Sequence, residues 1–195
     1  MAKIELIDTG RQFDAGALAE LRSCIGHTLV STEAYMPLGP DSIYKRVRLD
    51  FGTFQLDLVN QHETLVIGPE ASDEEVSILS VCKSDAEIWH PTSRSLTLQM
   101  PQFHITDVLV VVDTMLLTRG SLQLNRLRLV QAVCFENSDG ELLAFDRDRW
   151  SDEYLTMRKG SRISSVTRDH RGDWVAEPPY SYRFERQVQR LSLNH

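Results

Sequence analysis

The stretch that decides the fold is residues 105–146, "ITDVLVVVDTMLLTRGSLQLNRLRLVQAVCFENSDGELLAFD". Its first part, 105–117, is a long apolar run rich in β-branched residues, which predicts a buried strand. After the break "TRGS", residues 122–135 fit a strand or a helix, and their β-rich end "VQAVCF" favours a strand. Asp139-Gly140 then predicts the turn of a hairpin, with "ELLAFD" as the returning strand. This part of the chain is therefore expected to be mainly β.

The first half of the chain carries the same alternation of apolar and polar residues. A short strand is predicted at 3–7, and a helix at 14–26, where Asp14 can cap the first turn and Gly26 can end the last one. Turns are predicted at "LGPDS" (38–42) and at Gly52 between two strands. Further strands are predicted at 27–36, 46–52, 53–60, 75–82 and 95–100.

These elements predict a mainly β (α+β) protein of about ten strands, in packed sheets or a partly open barrel, with one N-terminal helix. Residues 1–195 are expected to form a single globular domain. The alternative is two similar β-rich halves, about 1–103 and 104–195, because "KRVRLDFGTFQLDL" (45–58) and "NRLRLVQAVCFENS" (125–138) share a basic-apolar-basic-apolar opening. Residues 150–157 fit a short helix or a strand, and the mixed pattern of 181–193 assigns no state.

Composition and charge restrict the classes of protein that this chain can belong to. Hydrophobic residues make up 42% and charged residues 25%, which is typical of a globular protein. Residues 1–117 hold 8 Lys and Arg against 17 Asp and Glu, whereas residues 118–195 hold 13 against 11. The overall pI of about 5.4 argues against a dedicated nucleic-acid-binding protein.

Cysteine usage and hydropathy predict a cytoplasmic protein without a membrane partner. Cys24, Cys82 and Cys134 lie far apart in apolar runs, without metal or redox spacing, which is typical of inert thiols in a reducing compartment. The most apolar window, 108–117, is much shorter than the roughly 18 residues that a spanning helix needs. The N-terminus has no long apolar segment of the kind found in secretory signals.

The sequence contains no familiar catalytic signature. The patterns GxxxxGK[ST], GxGxxG, GxSxG, HExxH and paired CxxC are all absent, so no cofactor is predicted. The histidines are scattered singly, and no metal site is predicted; they are His27, His62, His90, His104, His170 and His195. A hydrolase-type enzyme with an Asp/His site that lacks a sequence signature stays an alternative, because such sites are defined by geometry.

Asp113 is the acid that best fits such a site, because it interrupts the apolar run "LVVVDTMLL". It either points outward from a one-sided strand, which is the favoured reading, or is buried with a partner. If 105–117 and 122–135 pair, Arg126 and Arg128 are the expected partners. A buried carboxylate with a shifted pKa can mark a functional site.

The C-terminal third mixes aromatic and basic residues, which suits contact with a protein or a polyanion. The candidate partner-binding residues are Trp150, Trp174, Tyr180, Tyr182, Arg158 and Arg171. The favoured function is a non-catalytic binding or assembly module that meets a protein partner or a second copy of itself. Contact with nucleic acid through this third is the second alternative, after the enzyme.

The stretch "FDRDRW" (145–150) has a structural explanation of its own. If the strand continues, Asp146 and Asp148 lie on one face and Arg147 and Arg149 on the other, where neighbouring strands offer exposed ion-pair partners. Trp150 at the end of this strand is then the residue that can anchor a partner.

Residues 136–160, "ENSDGELLAFDRDRWSDEYLTMRKG", resemble a pattern found in uncharacterised bacterial proteins, often from Firmicutes and their mobile elements. In that pattern a DG hairpin is followed by a phenylalanine, an acid pair, a tryptophan, further acids and a final glycine, and "VDT" (112–114) lies upstream. The resemblance implies a bacterial, cytoplasmic protein. It implies no activity and no functional residue.

Overall fold

The computed structural model describes residues 6–35, 43–67, 72–84, 95–151 and 154–192. The predicted turn at 38–42, most of the predicted strand at 3–7, and His90 and His195 lie outside these ranges. Within them the chain forms β1 (Ile7–Arg11), α1 (Ala15–Arg22), β2 (Thr28–Tyr35), β3 (Ile43–Tyr44), β4 (Arg46–Asp50), β5 (Gln55–Ile67), β6 (Ser72–Lys83), β7 (Ser95–Arg119), β8 (Leu122–Asn137), β9 (Leu142–Arg147), β10 (Leu155–Gly160), α2 (Ile163–Val166) and β11 (Tyr180–Arg190).

The strands form one open, mainly antiparallel sheet in the order β3-β10-β9-β8-β7-β2-β4-β5-β6. Two strands lie off this path: β1 pairs in parallel with the first part of β8, and β11 pairs with the second part of β7. The predicted mainly β fold with an N-terminal helix is thus confirmed. A second, four-residue helix, α2, adds to the one that the sequence predicts.

Strand β7 is the central strand of the sheet. It joins the predicted strands at 95–100 and 105–117 into one strand of 25 residues. Its first part pairs with β2, and its second part carries β8 on one edge and β11 on the other. The alternative of two β-rich halves places a boundary between residues 103 and 104. This boundary falls inside the continuous strand β7.

The hairpin between β8 and β9 forms where the sequence predicts it. Gly140 has φ +74°, a left-handed conformation that favours glycine. The Asn137 side chain closes the turn, because its Oδ1 accepts hydrogen bonds from the backbone N–H groups of Asp139 (3.0 Å) and Glu141 (2.9 Å).

Helix α1 begins at the predicted cap, where Asp14 accepts a hydrogen bond from the Ala17 backbone N–H at 2.8 Å. The helix ends at Arg22, earlier than predicted, and a turn leads to Gly26. The predicted apolar face is confirmed, since Leu21 and Cys24 are buried in the main core. This helix covers one part of the sheet.

The main core joins apolar side chains from both halves of the chain. The strand alternation predicted for 46–52 and 53–60 is confirmed for their apolar residues, which face this core. Among its fully or almost fully buried members are Val47, Leu49, Leu56, Leu58, Val108, Val110, Val133, Phe135, Leu143, Phe145 and Leu155. Burial of this much apolar surface is the dominant stabilising contribution to a fold of this size.

Two polar residues of strands β4 and β5, Arg48 and Asp57, are also buried, which alternation alone does not reveal. Asp57 is completely buried and forms ion pairs with Arg46 and with Arg48, whose Nε lies 3.1 Å from the carboxylate. Asp57 is directly opposite Arg48 in the register of the two strands. Two arginines two positions apart thus hold one buried carboxylate.

Residues 125–138, whose sequence resembles 45–58, contain a more exposed pair of arginines around one carboxylate. Arg126 and Arg128 on β8 both donate to Asp8 on β1, at 3.4 and 3.2 Å. All three side chains are about one-third exposed or more. The shared basic-apolar-basic opening therefore corresponds to a shared ion-pair geometry at two levels of burial.

Gly160 lies where β10 passes close to α2. A Cβ atom at this position would lie 2.9 Å from Val166 Cγ1, closer than real Cβ contacts, and 3.0 Å from Ser165 Oγ, which is tighter than most of them. We expect Gly160→Ala to lower the free energy of unfolding by about 1–3 kcal/mol, because overpacking must displace α2. Urea denaturation measures this change.

The matched control for that substitution is Gly172→Ala, because a Cβ atom at Gly172 meets no atom within 4 Å. It should change stability by no more than about 0.5 kcal/mol. Equal effects of the two alanine substitutions would show that α2 does not pack tightly on β10.

Candidate functional site

Residues 161–179 connect β10 to β11, and we call them the covering segment. They lie over one face of the sheet at β7, β8 and β9. Val166 of α2 is buried in a separate apolar cluster with residues of β7, β8 and β9. These are Leu109, Val111, Ala132, Cys134, Leu142 and Ala144. The side chains of the sheet under this segment are therefore enclosed, and polar ones among them need partners.

Asp113 is the first of these enclosed polar residues. Its carboxylate accepts two hydrogen bonds from Arg186 on the neighbouring strand β11, from Nε at 2.7 Å and Nη2 at 2.6 Å. Arg186 also donates to Thr167 Oγ1 (2.9 Å) and to the Arg168 carbonyl (2.7 Å). This bidentate pair fastens the covering segment to the sheet.

The expectation of an outward-pointing Asp113 is wrong, and so is the expectation of Arg126 or Arg128 as its partner. Strands β7 and β8 do pair, but Asp113 is opposite Leu129, and Arg128 is opposite Thr114. Successive side chains of a strand point to opposite faces, so Arg128 lies on the other face from Asp113.

Gln131 enters the same cluster because β8 is irregular at this point. Val111 pairs with Ala132 and Val112 pairs with Val130, so Gln131 is an extra residue in the strand. Such bulges redirect a side chain. The fully buried Gln131 amide nitrogen contacts Asp146 Oδ1 (2.7 Å), the Arg147 carbonyl (2.9 Å) and His170 Nε2 (2.8 Å).

The contact with Gln131 favours one tautomer of His170. An amide nitrogen can only donate, so a proton on His170 Nε2 would face another donor, and the tautomer with an unprotonated Nε2 fits this contact. The proton is then on Nδ1, which donates to Asp173 Oδ2 at 2.6 Å. Burial lowers the pKa of His170 and keeps this neutral form. Both ring nitrogens are thus already engaged.

Asp146 and Arg147 are both completely buried, so the predicted exposed ion pairs of "FDRDRW" are wrong for these two residues. Asp148 does form a partly exposed ion pair, with Arg168 at 3.5 Å. The main core lies on one side of β9 and the covering segment on the other. Arg147 donates to the Ser77 carbonyl (2.5 Å) and to Gln131 Oε1 (3.1 Å). Burial lowers the pKa of Arg147 to about 10. We call Asp113, Gln131, Asp146, Arg147, His170 and Arg186 the polar cluster.

Asp146 titrates near neutrality. Burial raises its pKa to about 6, although Gln131 and the Arg168 backbone N–H donate to the carboxylate. Between about pH 4 and 6 the folded chain therefore binds this proton more strongly than the unfolded chain. The contribution of Asp146 to the free energy of unfolding falls by about 3 kcal/mol as the pH rises through that window.

We expect carboxyl-carbon NMR to give a midpoint near 6 for Asp146, and the Asp146→Asn variant to lack that signal. Asp169 is an internal reference, because hydrogen bonds from Arg171 lower its pKa to about 2. An Asp146 midpoint near 4 would contradict the burial of its charged form. His170 acts in the opposite direction on stability, since its lowered pKa favours the folded state at higher pH.

Two cavities flank the covering segment. The first, of about 370 Å³, is lined by Asp113, Ser164, Thr167, Asp169, His170, Arg171, Phe184, Glu185 and Arg186. The second, of about 430 Å³, is lined by Glu74, Glu75, Arg149, Trp150, Ser151, Arg168, Asp173 and Trp174. Both volumes are within the range of small-molecule sites.

The first cavity brings together an acid, a histidine and an arginine, which is the convergence that an Asp/His enzyme needs. Both carboxylate oxygens of Asp113 accept from Arg186, however, and His170 Nε2 faces the Gln131 amide nitrogen. A general base must be within reach of a substrate proton, and here its lone pair faces an amide. No group of three or more His, Cys, Asp or Glu residues in the described ranges could hold a metal ion.

Three of the candidate partner-binding residues meet in an aromatic cluster. Trp150 is only 3% exposed, and its ring centroid lies 5.3 Å from that of Trp174, which in turn lies 5.9 Å from Tyr182. Trp150 is thus an interior residue beneath Trp174. Tyr180 begins β11, opposite Arg119, outside this cluster.

The two candidate arginines lie elsewhere, and both contact acids. Arg158 lies 3.6 Å from Asp146, and Arg171 pairs with Asp169 at the first cavity. Acids pair in the same way with most basic residues of the C-terminal third, namely Lys159, Arg168, Arg183, Arg186 and Arg190. Little positive charge is left to neutralise phosphates.

The three thiols are unpaired, and Cys82 is exposed rather than buried. Burial raises the pKa of Cys24 and of Cys134 to about 12, so these two thiols stay protonated and unreactive. The pKa of Cys82 is also raised, again mainly by partial burial.

Sequence reasoning missed Gln131 and gave Arg186 no specific role. A signal for Gln131 was visible, because it is the one polar residue in "LVQAVCF". The pairing of Arg186 with Asp113 depends on β11. The mixed sequence pattern of 181–193 predicted neither a helix nor a strand there.

No helix in the parts of the chain that the structure describes is long and apolar enough to cross a membrane. No protein-family model, curated protein or solved structure matches this chain. The bacterial origin implied by residues 136–160 therefore stays a prediction.

Proposed function

We propose that this protein is a cytoplasmic, non-catalytic assembly module that pairs with a second copy of itself along the edge of β11. The observation that carries the proposal is the free edge of this strand. Eleven residues, Tyr180–Arg190, pair with β7 on one side and with no described strand on the other. Unpaired backbone N–H and C=O groups of a long edge strand can bind another extended chain.

The other long edge strand is partly covered. Along β6 the Ser77 backbone N–H donates to the Trp150 carbonyl at 2.7 Å, and Arg147 occupies the Ser77 carbonyl. On β11 the residues from 185 to 190 are all exposed, including Val188. The edge of β11 is therefore the better docking surface of the two.

The residues of β11 are self-complementary. If two copies pair antiparallel about Phe184, Arg183 of each copy is directly opposite Glu185 of the other. These two side chains already form an ion pair within one chain, at 3.0 Å, and both are exposed. Opposite charges placed directly across two strands stabilise the pairing, and like charges oppose it.

The test is light scattering on size-exclusion fractions over a range of concentrations. We expect a concentration-dependent dimer for the natural chain and a weaker one for Glu185→Arg, by at least about tenfold in Kd, because like charges then face each other. The double variant R183E/E185R exchanges both charges and should restore the dimer. A monomer at every concentration, or a dimer indifferent to Glu185→Arg, would contradict the proposal.

The convergence of Asp113, His170 and Arg186 at the first cavity supports a second candidate, a hydrolase-type enzyme. It requires His170 to release Gln131 when substrate binds. Turnover of chromogenic esters, phosphoesters and glycosides tests this, with His170→Gln as the inactive variant and Gln123→Leu, an exposed position outside the cavity lining, as the control. If the panel is not hydrolysed, or His170→Gln retains full activity, this candidate fails.

A further inference from the structure

We propose that the covering segment opens from the sheet in weak acid, and that His170 is the residue whose protonation opens it. This proposal is independent of the pairing along β11. Its starting point is the place of His170 at the interface between the segment and the sheet. The side chain is only 1% exposed, and its ring nitrogens contact the Gln131 amide nitrogen at 2.8 Å and the Asp173 carboxylate at 2.6 Å.

The Gln131 amide is held in an orientation that does not accept a proton from His170. Its nitrogen lies 2.7 Å from Asp146 Oδ1 and 2.9 Å from the Arg147 carbonyl, and its Oε1 accepts from Arg147 Nη2 at 3.1 Å. A turned amide would place its oxygen against the two acceptors and its nitrogen against the guanidinium group. A proton on His170 Nε2 therefore faces a fixed donor, and a buried donor without an acceptor is costly.

The charges around His170 also oppose its protonation. Burial lowers the pKa of His170, and the cations Arg147 and Arg168 lower it further. Asp173 favours the charged ring, but its Oδ1 already accepts from Arg168 at 3.2 Å. The other acids that line the first cavity with His170 each pair with an arginine, namely Asp113 with Arg186, Asp169 with Arg171 and Glu185 with Arg183.

The pH dependence of opening has a definite sign. In the open form His170 is solvated and takes up a proton below about pH 6.5, whereas the closed form resists it, so the open population grows as the pH falls. Asp146 acts in the opposite direction between about pH 6 and 4, because burial raises its pKa to about 6 in the closed form. A comparison of two chains that both retain Asp146 removes this second effect.

Two buried thiols distinguish opening of the segment from unfolding of the whole chain. Cys134 is completely buried in the apolar cluster that Val166 of α2 covers. Cys24 is equally buried, but in the main core. Opening of the covering segment should therefore expose Cys134 alone, whereas global unfolding exposes both thiols.

The experiment is labelling of the natural chain and of His170→Gln with dithiodipyridine, followed by mass spectrometry of the cysteine-containing peptides. This disulfide reacts with thiols in weak acid because it releases a thiol of low basicity, and a buried thiol reacts only while its cover is open. Dividing the Cys134 rate of the natural chain by that of His170→Gln cancels the pH dependence of the reagent and of Asp146. We expect this ratio to rise at least about fivefold from about pH 7 to about pH 5, since one proton changes the open population by up to about tenfold per pH unit.

The same ratio for Cys24 should stay constant over this range. A Cys134 ratio that does not change with pH, or a Cys24 ratio that rises in parallel, would overturn the proposal. Nitrogen NMR of the imidazole ring tests it without a substitution. Nε2 should be unprotonated at neutral pH, and its protonation in acid should coincide with faster hydrogen exchange of the Arg168 amide, which donates to Asp146 at 2.7 Å. A ring that is protonated on Nε2 at neutral pH, or in acid while that amide stays protected, contradicts the proposal.

Discussion

Gln131→Leu is expected to lower the free energy of unfolding by about 3–5 kcal/mol, a large part of the total for an ordinary domain. Leucine has a similar size, so the loss comes from hydrogen bonds rather than from a cavity. The substitution removes the partner of Asp146 Oδ1, the acceptor of Arg147 Nη2 and the donor to His170 Nε2. Each buried group left without a partner costs about 1–3 kcal/mol.

Guanidinium denaturation monitored by circular dichroism measures this effect. Gln123→Leu is the matched control, because Gln123 is an exposed residue on the same strand, and it should change stability by no more than about 0.5 kcal/mol. If Gln131→Leu loses less than about 1 kcal/mol, the polar cluster rearranges freely and does not hold the covering segment in place.

Asp57→Leu is the second substitution with a large expected effect. Removing one partner of a buried ion pair leaves an uncompensated charge and costs about 3–5 kcal/mol. Here the Asp57 carboxylate is completely buried, and the Arg48 side chain is 8% exposed. The same denaturation experiment should give a clearly lower midpoint than for the natural chain.

Asp8→Leu provides an internal comparison, because Asp8 also lies between two arginines two positions apart. Its side chain is 36% exposed, so its ion pairs are solvated and are expected to contribute about 1 kcal/mol or less. Equal losses for Asp57→Leu and Asp8→Leu would mean that burial does not set the strength of these pairs.

Local patterns were sufficient to predict most strands and the hairpin at Gly140. Alternation placed Val47, Leu49 and Leu56 on the core side correctly, because each strand has only two faces. The cap at Asp14 was equally local. These features depend on residues close to each other in the sequence, and a local sequence pattern covers that range.

The other face of each strand could not be predicted in this way. Asp57 alternates with apolar residues, and Asp113 and Asp146 each follow an apolar run, so each pattern fits an acid on a solvated face. The covering segment encloses Asp113 and Asp146, and it is held there in part by Arg186 of β11, the strand that pairs with β7. The alternation within a strand does not specify the register in which it pairs with a distant strand. The alternation also does not predict the bulge at Gln131.

The parallel pairing of β1 with β8 has a consequence for synthesis on the ribosome. Asp8 and its partner Arg126 are 118 positions apart in the chain. At about 5–20 residues per second, β1 waits about 6–24 s for β8, the strand with which it pairs, to be translated. Strand β3 depends on β10 over a similar distance. The nascent first half therefore leaves the ribosome with strand edges that stay unpaired until the second half has been synthesised.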